Sequence, residues 1–528
     1  MIRPFGAGAD GLDAAWDLCI VGAGAVGLAV AMEFLDTPRR IIVLESGLRE
    51  PDAAGDALNT LTSVGLPHDG WRAGRVRCFG GTTRAWGGQL VPMRETELAQ
   101  RAWVPHSGWP LDIQQLQSYY RRVEGLLSTE GPPYDEAVWS RLGITPPGFE
   151  SADFQVRFSQ WASLGRRNFA VMWRRQLERS QNVLVLLDAT AVAVRCTSGG
   201  DHCESVEIRS RDGQRGTIRA RSFVVACGGI ETARLLLCSA VAGGGSVANR
   251  SGLVGRFFQD HVSYVAGDVV PASRRSIQDL FDPRYLGATM FSAKVEPTEA
   301  AMRRNAWLNA MGHIAFQIPE ALGWMELRRI LRSIQAGRLQ LPSFDEARAM
   351  ARGAVELTRL IATRIAHKRR RSPDAGAIVL LVDTEQAPNA DSRVTLDTEV
   401  DALGMRRARL DWRITDLEYR TLTGFARHLA AEFERLALGR INLAGPPDFS
   451  RRELPGAARD IFHHMGTTRM SHSATTGVTR PDLRCHDVDN LFIAGPSVFP
   501  TSGIANPTFT ALALALRLAD HLKSRHAA

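Results

Sequence analysis

The chain has 528 residues, of which 45% are hydrophobic and 23% are charged, and its formal net charge at pH 7 is +8. This length allows roughly two to four domains and a sizeable buried core. A positive chain can bind nucleic acid, but the arginines are scattered, and zinc-finger spacing, an RNP-like run and a lysine-rich tail are all missing from the sequence. We therefore expect a globular protein with no nucleic-acid partner.

Seven cysteines are present, and no two of them form a Cys-x-x-Cys pair. An odd number in a long chain argues against a disulfide framework and favours a reducing compartment. The first residues lack the features of a secretory leader, and no uninterrupted apolar run reaches about 18 residues. We therefore expect a cytoplasmic protein without a transmembrane helix.

The first motif is a glycine-rich turn between an apolar run, Leu18–Val21, and a helical pattern, Val26–Leu35. Gly22, Gly24 and Gly27 have the spacing G-x-G-x-x-G. In a dinucleotide site the first glycine allows a tight turn, the second lets the backbone approach a pyrophosphate, and the third packs the helix on the strand. The N–H groups at the start of such a helix bind phosphate.

A second buried-strand pattern, Ile41–Leu44, ends at Glu45, which lies 18 residues after Gly27. An acid about 20 residues beyond the last glycine accepts hydrogen bonds from ribose hydroxyls. Its charge also argues against a 2′-phosphate. Strand, glycines, helix, strand and acid together predict a dinucleotide site and leave the choice between NAD and FAD open.

Three later segments favour FAD. Residues 78–89 form a second glycine cluster, CFGGTTRAWGGQ, which is typical of a backbone loop against a flat ligand. Residues 222–237 read as strand, Gly-Gly turn and helix, and residues 489–522 as strand, Gly-Pro turn, polar loop and long helix. NAD domains are usually contiguous, whereas FAD is longer and needs several chain passes to cover it.

These segments resemble, in the same order and over essentially the whole chain, the glucose–methanol–choline (GMC) family of FAD-dependent oxidoreductases. The resemblance is carried by VGAGAVG with Glu45, GGTTRAWGG, VVACGGIETARLLL, VGRFFQDH, HHMGTTRM and NLFIAGPSVFPTSGIANPTFTALALALRLAD. The motif style is nearest to the pyranose oxidase and sugar dehydrogenase branch. It implies an α/β fold, with a Rossmann-like FAD-binding domain and an inserted α+β substrate domain built on an antiparallel sheet.

The resemblance also implies a discontinuous FAD-binding domain. We expect it to comprise residues 1–95, 183–262 and 456–528, with residues 96–182 and 263–455 forming the substrate domain.

Two stretches of the substrate domain have distinct patterns. Residues 377–412 read as strands joined by polar turns, and we expect them in the antiparallel sheet that covers the active site in the family. Residues at about 320–371 read as two basic amphipathic helices. A solvated insertion over the substrate domain is favoured, and a membrane-surface or partner-docking segment is the alternative.

The family's catalytic histidine lies in an H-x-x-G-T pattern, and this register implies His463 as the base. The second active-site position, a histidine or asparagine in the C-terminal loop, is Asn506, so the sequence resembles the His/Asn subtype. A neutral imidazole, with an ordinary pKa of about 6.5, can take the hydroxyl proton of an alcohol. The hydride leaves for flavin N5, while Asn506 holds the substrate oxygen.

The other histidines are expected to be structural. Adjacent residues of an extended segment point to opposite faces, so His464 should pack behind the site, with exchanged roles as the alternative. His261 and His313 are predicted to be structural or to line the pocket. We expect no metal, because no acid or third histidine stands at ligand spacing from the His463–His464 pair.

FAD is expected to bind without a covalent bond. No histidine occurs between residues 70 and 101, and Ala85 stands where some relatives have the histidine that attaches the flavin. The residues expected to contact FAD are Gly22, Gly24, Ala25, Gly27, Glu45, Ser46, Gly81, Thr82, Thr83, Trp86, Gly87, Gly88, Ala191, Ala226, Gly495, Pro496, Asn506, Pro507 and Thr508.

The resemblance implies oxidation of a CH–OH group to a carbonyl on a sugar or sugar-containing natural product, such as an aminoglycoside-type molecule or a glycoside. The electron acceptor, oxygen or a quinone-type or artificial acceptor, stays open, as does the oligomeric state. Two alternatives remain. One is a membrane-surface dehydrogenase that passes electrons to quinone or a partner, and the other is an FAD-containing lyase without net redox chemistry.

Overall fold

The computed structural model describes residues 1–6, 16–317, 326, 327, 329, 330, 333, 341–352, 354–372, 374, 376–444 and 458–525. Most of the first basic helix predicted within 320–371 lies outside the described residues, as does the start of the 456–528 segment.

The strands of the described residues belong to three sheets of eight, nine and three strands. In chain order they are β1 (Ile2–Pro4), β2 (Trp16–Val21), β3 (Ile41–Leu44), β4 (Thr62–Gly65), β5 (Gln89–Leu90), β6 (Phe154–Trp161), β7 (Val183–Leu187), β8 (Thr190–Cys196), β9 (Cys203–Arg209), β10 (Arg215–Val225), β11 (Val262–Pro271), β12 (Arg284–Leu286), β13 (Thr289–Pro297), β14 (Ala310–Phe316), β15 (Ile378–Thr384), β16 (Arg393–Val400), β17 (Arg406–Trp412), β18 (Gly439–Leu443), β19 (Ala458–Asp460) and β20 (Leu491–Ile493).

The helices range from a single turn to five turns. In chain order they are α1 (Ala25–Met32), α2 (Ala53–Ala57), α3 (Gly70–Ala73), α4 (Glu95–Leu98), α5 (Gln114–Leu127), α6 (Ala137–Leu142), α7 (Leu164–Arg167), α8 (Phe169–Arg179), α9 (Gly228–Cys238), α10 (Arg274–Phe281), α11 (Glu299–Asn305), α12 (Phe344–Arg352), α13 (Ala354–His367), α14 (Asp416–Arg435) and α15 (Pro507–Arg525). None of the described helices has the length and apolar character needed to span a bilayer.

The eight-stranded sheet has a parallel core in the order β1, β7, β3, β2, β10, β20. Strands such as Ile41–Leu44 are buried along their whole length, and α1 packs between this sheet and α15. Burial on both faces explains why these strands read as continuous apolar runs. The first half of β10 leaves this core and pairs antiparallel with β9, which pairs with β8.

The nine-stranded sheet is antiparallel, in the order β18, β11, β15, β14, β13, β6, β5, with β12 on β13 and β19 on β11. Helix α14 covers one face of this sheet. A Cβ atom at Gly312 of β14 would lie 2.7 Å from Leu429 of α14, so the helix is in direct contact with the strand. Together with the parallel sheet, this arrangement confirms the predicted fold class.

The prediction for residues 377–412 was partly wrong. Strand β15 lies in the nine-stranded sheet, but β16 and β17 form a separate three-stranded sheet with β4, which pairs parallel to β17. Buried Val394 and Leu410 belong to β16 and β17, and α9 contacts both strands. Strand periodicity identifies a buried face, but it does not determine which strand is the partner.

Candidate active site

A cavity of about 290 Å³ opens at the carboxyl ends of the parallel strands. Val21, Leu44, Ala226 and Ala494 line it, and each stands at or just after the end of a core strand. Ligands of open α/β sheets bind outside these strand ends, where the strand order reverses. The sheet topology therefore brings the predicted dinucleotide segments to one place.

The three glycines of the first turn meet different surroundings. Gly22 has a φ of +107°, and a Cβ there would lie 2.6 Å from the Ala226 carbonyl oxygen. A Cβ at Gly27 would lie 1.9 Å from the Gly22 oxygen, so only glycine allows α1 to pack this closely. Gly24 lines the cavity, and a Cβ there would meet no atom within 4 Å. The open space beside Gly24 fits a phosphate at the start of α1, where the first N–H groups have no helical acceptor.

Glu45 is buried and lines the same cavity. Its carboxylate accepts hydrogen bonds from the backbone N–H of Ala23 at 3.0 Å and of Gly47 at 2.8 Å. Burial raises the pKa of this carboxyl group. Glu45 thus holds the backbone of the glycine turn. The remaining lone pairs of its carboxylate oxygens can accept a hydrogen bond from a ribose hydroxyl.

Most of the residues predicted to contact FAD line this cavity. Gly27 instead packs α1 on β2, and Gly87 and Gly88 face Trp161 and Arg167. Asn506 lies beside His463. The predicted residues that line the cavity are Gly22, Gly24, Ala25, Glu45, Ser46, Gly81, Thr82, Thr83, Trp86, Ala191, Ala226, Gly495, Pro496, Pro507 and Thr508.

The sequence analysis did not identify a charged cluster on the cavity wall, although two of its residues lie in the VVACGGIETARLLL motif. Glu231 pairs with Arg75 at 2.8 Å, with Arg77 at 3.1 Å and with Arg234 at 3.1 Å, and Arg234 pairs with Asp401 at 2.5 Å. All five residues line the cavity. Burial alone would raise the pKa of Glu231, but the three guanidinium groups hold it far below its usual range. The cluster itself contains three cations and two anions.

His463 also lines the cavity, and two side chains hold its imidazole. The Nδ2 atom of Asn506 lies 3.4 Å from His463 Nε2, and His261 Nδ1 lies 2.9 Å from His463 Nδ1. Burial, together with the neighbouring His261, lowers the pKa of His463 to about 4. The imidazole is therefore neutral near pH 7, which is the form that accepts a proton.

The backbone around His463 is held by Asp260. Asp260 Oδ1 accepts from the backbone N–H of His463 at 2.9 Å and of His261 at 2.7 Å. Burial would raise the pKa of Asp260, but the hydrogen bond from His68 and the electrostatic effect of His68, His464 and His463 together lower it to about 2. Phe462, just before the histidine, has a φ of +72°, a strained conformation that only a tightly fixed neighbourhood maintains.

His464 also lines the cavity, and its imidazole belongs to a buried cluster with His68 and Asp260. Its Nε2 lies 3.9 Å from Asp260 Oδ2, and His68 Nε2 lies 3.2 Å from the same oxygen. One ligand atom from each residue lies within 4.8 Å of the others, so the fold assembles a group that sequence spacing did not reveal. The Asp260 oxygens already accept hydrogen bonds, and we interpret the cluster as a buried hydrogen-bonded support.

The loop before Asn506 is fixed by Glu97, another residue that the sequence analysis missed. Glu97 Oε1 accepts from the backbone N–H of Ile504 at 2.8 Å and of Ala505 at 3.1 Å. Its other oxygen accepts from Arg157 at 2.9 Å. About 400 residues separate Glu97 from this loop, so no local pattern signals the contact. For Asp260, its place in the VGRFFQDH motif was the one available signal.

A parallel sheet with a glycine turn and a buried acid at its strand ends has the form of a dinucleotide-binding domain. GMC oxidoreductase family models match residues 60–263 and 388–515, and the chain belongs to this family. It is therefore an FAD-dependent oxidoreductase that acts on CH–OH groups, as the sequence motifs predicted.

Known relatives cover nearly the whole chain. Paromamine 6'-oxidase of Streptomyces fradiae is 25% identical over 98% of this chain and 93% of its own. The 2-methyl-1,2-propanediol dehydrogenase of Mycolicibacterium austroafricanum is 28% identical over 96% of this chain and 95% of its own. A crystal structure of formate oxidase superposes with a TM-score of 0.58 at 16% identity, covering 97% of this chain and 99% of that one, and shows the same fold.

Proposed function

We propose that the protein oxidises a CH–OH group of a sugar or sugar-containing molecule to a carbonyl, with His463 as the base. The observation that carries this proposal is the 3.4 Å approach of Asn506 Nδ2 to His463 Nε2 at the cavity. An imidazole and a carboxamide that meet at this distance can both contact one substrate oxygen. The relatives named for paromamine and for 2-methyl-1,2-propanediol support a hydroxyl-bearing substrate.

The chain's own residues prepare the proton transfer. One of the two Nδ1 atoms, in His463 or His261, carries the proton that they share. When it is on His463, Nε2 carries a lone pair that accepts from Asn506 Nδ2 and can take the hydroxyl proton once a substrate oxygen replaces that contact. Asn506 orients the substrate oxygen, and the Asp260 carboxylate keeps the segment in place through its backbone N–H groups. FAD, when bound, supplies the acceptor for the hydride.

The experiment is anaerobic mixing of the holoenzyme with a panel of sugars, glycosides and vicinal diols, followed by the bleaching of flavin absorbance. His463→Ala should keep FAD and lose flavin reduction by roughly 10²- to 10⁴-fold, the range for a general base. His472→Ala is the matched control, because His472 is exposed and lies nine residues further along the chain.

Three outcomes separate the alternatives. Flavin reduction at the normal rate in His463→Ala would show that another residue is the base, and His464→Ala would be the next variant to test. A panel that leaves wild-type flavin oxidised while a substrate is cleaved would favour the lyase. Reoxidation of the reduced enzyme in air, compared with a quinone, identifies the acceptor.

A membrane-surface dehydrogenase is the second candidate, and one observation favours it. Leu341, Phe344 and Ile365, in and beside α12 and α13, are 81%, 82% and 76% exposed within a basic stretch of the chain. Exposed apolar groups among cations are typical of a helix that lies on an anionic bilayer. Flotation with phosphatidylserine-containing vesicles at low salt tests this, and failure to float would exclude it. A Phe344→Glu variant is the control for contact through this face.

A further inference from the structure

Three polar side chains form a continuous row across adjacent strands of the nine-stranded sheet. Lys294 of β13 is hydrogen-bonded through Nζ to His313 Nδ1 of β14. His313 Nε2 lies 2.7 Å from Asp383 Oδ2 of β15. We call this set the Lys294–His313–Asp383 row. No sequence motif links the three residues, and the function described above uses none of them.

The row lies on the face of the sheet opposite α14. Gly312 faces α14, because a Cβ there would touch Leu429 and approach Phe425. Side chains alternate along a strand, so His313 points to the other face. The side chains of His313 and Asp383 are 18% and 11% exposed, so that face is accessible although the row is largely buried.

The same face adjoins the catalytic histidine. Asp383 pairs across the sheet with Ser263 of β11, which lies two residues after His261 on the same side of the chain. His261 is in contact with His463. The Asp383 carboxylate acts on His463 electrostatically, opposing the burial that lowers its pKa. The row therefore lies on the face opposite α14, and its Asp383 end pairs with the strand that follows His261.

Among the described residues, the positive and negative side chains on this face of the sheet and beside it are equal in number. Arg157 lies opposite Lys294 on β6 and pairs with Glu97 at 2.9 Å and with Glu296 at 3.2 Å. Arg94 pairs with Glu296 at 2.8 Å. With Lys294 and Asp383 this makes three cations and three anions, and burial keeps His313 neutral by lowering its pKa. These side chains offer both hydrogen-bond donors and acceptors, and they carry no net charge that would attract an ionic ligand.

We propose that the Lys294–His313–Asp383 row binds the non-reacting hydroxyl groups of a neutral sugar or polyol and determines specificity against amino sugars. Hydroxyl groups both donate and accept, so they match a row that ends in an ammonium and a carboxylate. An ammonium group on the substrate would be repelled by Lys294. It could pair with Asp383 only by displacing His313, and both effects would weaken the binding of an amino sugar relative to a neutral sugar. This inference rests on the proposed function, because it assigns the substrate class of the same site.

The experiment measures binding separately from chemistry. The holoenzyme of His463→Ala, with turnover blocked, is titrated with D-glucose and D-galactose and with their 2-amino-2-deoxy analogues, and the shift of the flavin spectrum gives Kd. The neutral sugar should bind at least about tenfold more tightly than its amino analogue, a difference of about 1.4 kcal/mol. Equal or tighter binding of the amino sugars, or no binding of either pair, would overturn the proposal.

Two isosteric variants test the row directly in the enzyme with His463 intact. Asp383→Asn and Lys294→Met should raise the Kd of the neutral sugar about tenfold or more, as expected for a lost hydrogen bond to a charged group. The limiting rate of flavin reduction at saturation should change less than about threefold. Lys294→Arg should restore part of the affinity, and Asp268→Asn, at an exposed position of β11, should leave it unchanged.

The outcomes separate this inference from the function on which it rests. If sugars reduce the flavin and the Kd of the sugar is unchanged in both row variants, the inference is wrong and the proposed function is supported. Sugar binding that depends on the row, without any flavin reduction, would support the binding role of the row and contradict the proposed oxidation. If a row variant fails to fold, the comparison of neutral and amino sugars in His463→Ala still decides the question.

Discussion

Asp260 holds the backbone of both His261 and His463 through hydrogen bonds. It is fully buried, and one of its oxygens accepts backbone N–H groups from both His261 and His463. Its other oxygen accepts from His68. One carboxylate thus holds the backbone of two histidines that are 202 residues apart in sequence. A buried charge of this kind is retained because several hydrogen bonds satisfy it at once.

The pH dependence of flavin reduction follows from the environment of His463. Burial and His261 lower its pKa to about 4, so the proton-accepting neutral form dominates above about pH 5. The limiting reduction rate should be flat from about pH 9 to pH 5 and fall only near pH 4. Stopped-flow measurement across this range checks it, and a break near pH 6.5 would contradict it.

A substitution next to the base tests the cause of that shift. In His261→Asn the neighbouring imidazole is gone, so the pKa of His463 should rise and the acid limb should move to higher pH. His202→Asn, on the surface, should leave the profile unchanged. An acid limb that does not move in His261→Asn would show that burial alone sets the pKa.

Stability should depend on pH through the same histidines. The pKa values of His463 and His464 are lowered by burial to about 4 and about 3, below the value of about 6.5 in an unfolded chain. Below pH 6.5 the unfolded chain therefore binds more protons than the folded protein. The melting temperature should fall as the pH drops from 6.5 towards 4, and replacing His464 with Asn should reduce that slope.

Among the elements, the turn between β2 and α1 combines two requirements within six residues. Gly27 is required for packing, because a Cβ there would strike the Gly22 carbonyl at 1.9 Å. Gly24 has an ordinary extended conformation, and its missing side chain leaves space in the cavity. The two glycines therefore serve the fold and the ligand separately.

Matched alanine variants separate these roles. Gly27→Ala should destabilise the protein by about 3 kcal/mol, the cost of overpacking, as measured by thermal melting. Gly24→Ala should leave the melting temperature of the apoprotein unchanged and raise the Kd of FAD at least about tenfold. Gly125→Ala, at an exposed helix position with open space, is the control. Equal effects of the first two changes on melting would contradict the assignment.

At the scale of the whole molecule, the cavity is lined by residues from distant parts of the chain. Gly22 and Glu45 come from the first 50 residues, Ala226 from the middle, and His463 and Pro507 from the last 70. A ligand that contacts all these segments stabilises the folded state against unfolding of any one of them. The proposed limits of the FAD and substrate domains stay a prediction.

FAD should therefore raise the melting temperature of the entire protein. A ligand at 100 times its Kd stabilises the folded state by about 2.7 kcal/mol. The apoprotein should melt at a lower temperature than the holoenzyme, in a transition that rises with FAD concentration. FMN, which lacks the adenosine half, should be far less effective. Flavin that stays with the protein after denaturation would contradict non-covalent binding.

The sequence alone determined the features that short stretches encode. The glycine turn, the buried run before Glu45 and the strand–turn–helix pattern at 222–237 follow from local sterics and hydrophobic periodicity, and the structure contains each of them. The H-x-x-G-T register implied His463, which lies at the cavity next to Asn506, and its role as the base stays a prediction.

Only the tertiary structure decided which distant residues meet. It brought His68 and Asp260 to His464, connected Glu97 to the loop at Ala505, and placed β17 beside β4 instead of in the nine-stranded sheet. Periodicity shows which face of a strand is buried but not which strand lies beside it. Side-chain contacts across hundreds of residues depend on how the sheets pack, because hydrogen bonding and charge pairing act over a few ångströms in space and do not depend on separation along the chain.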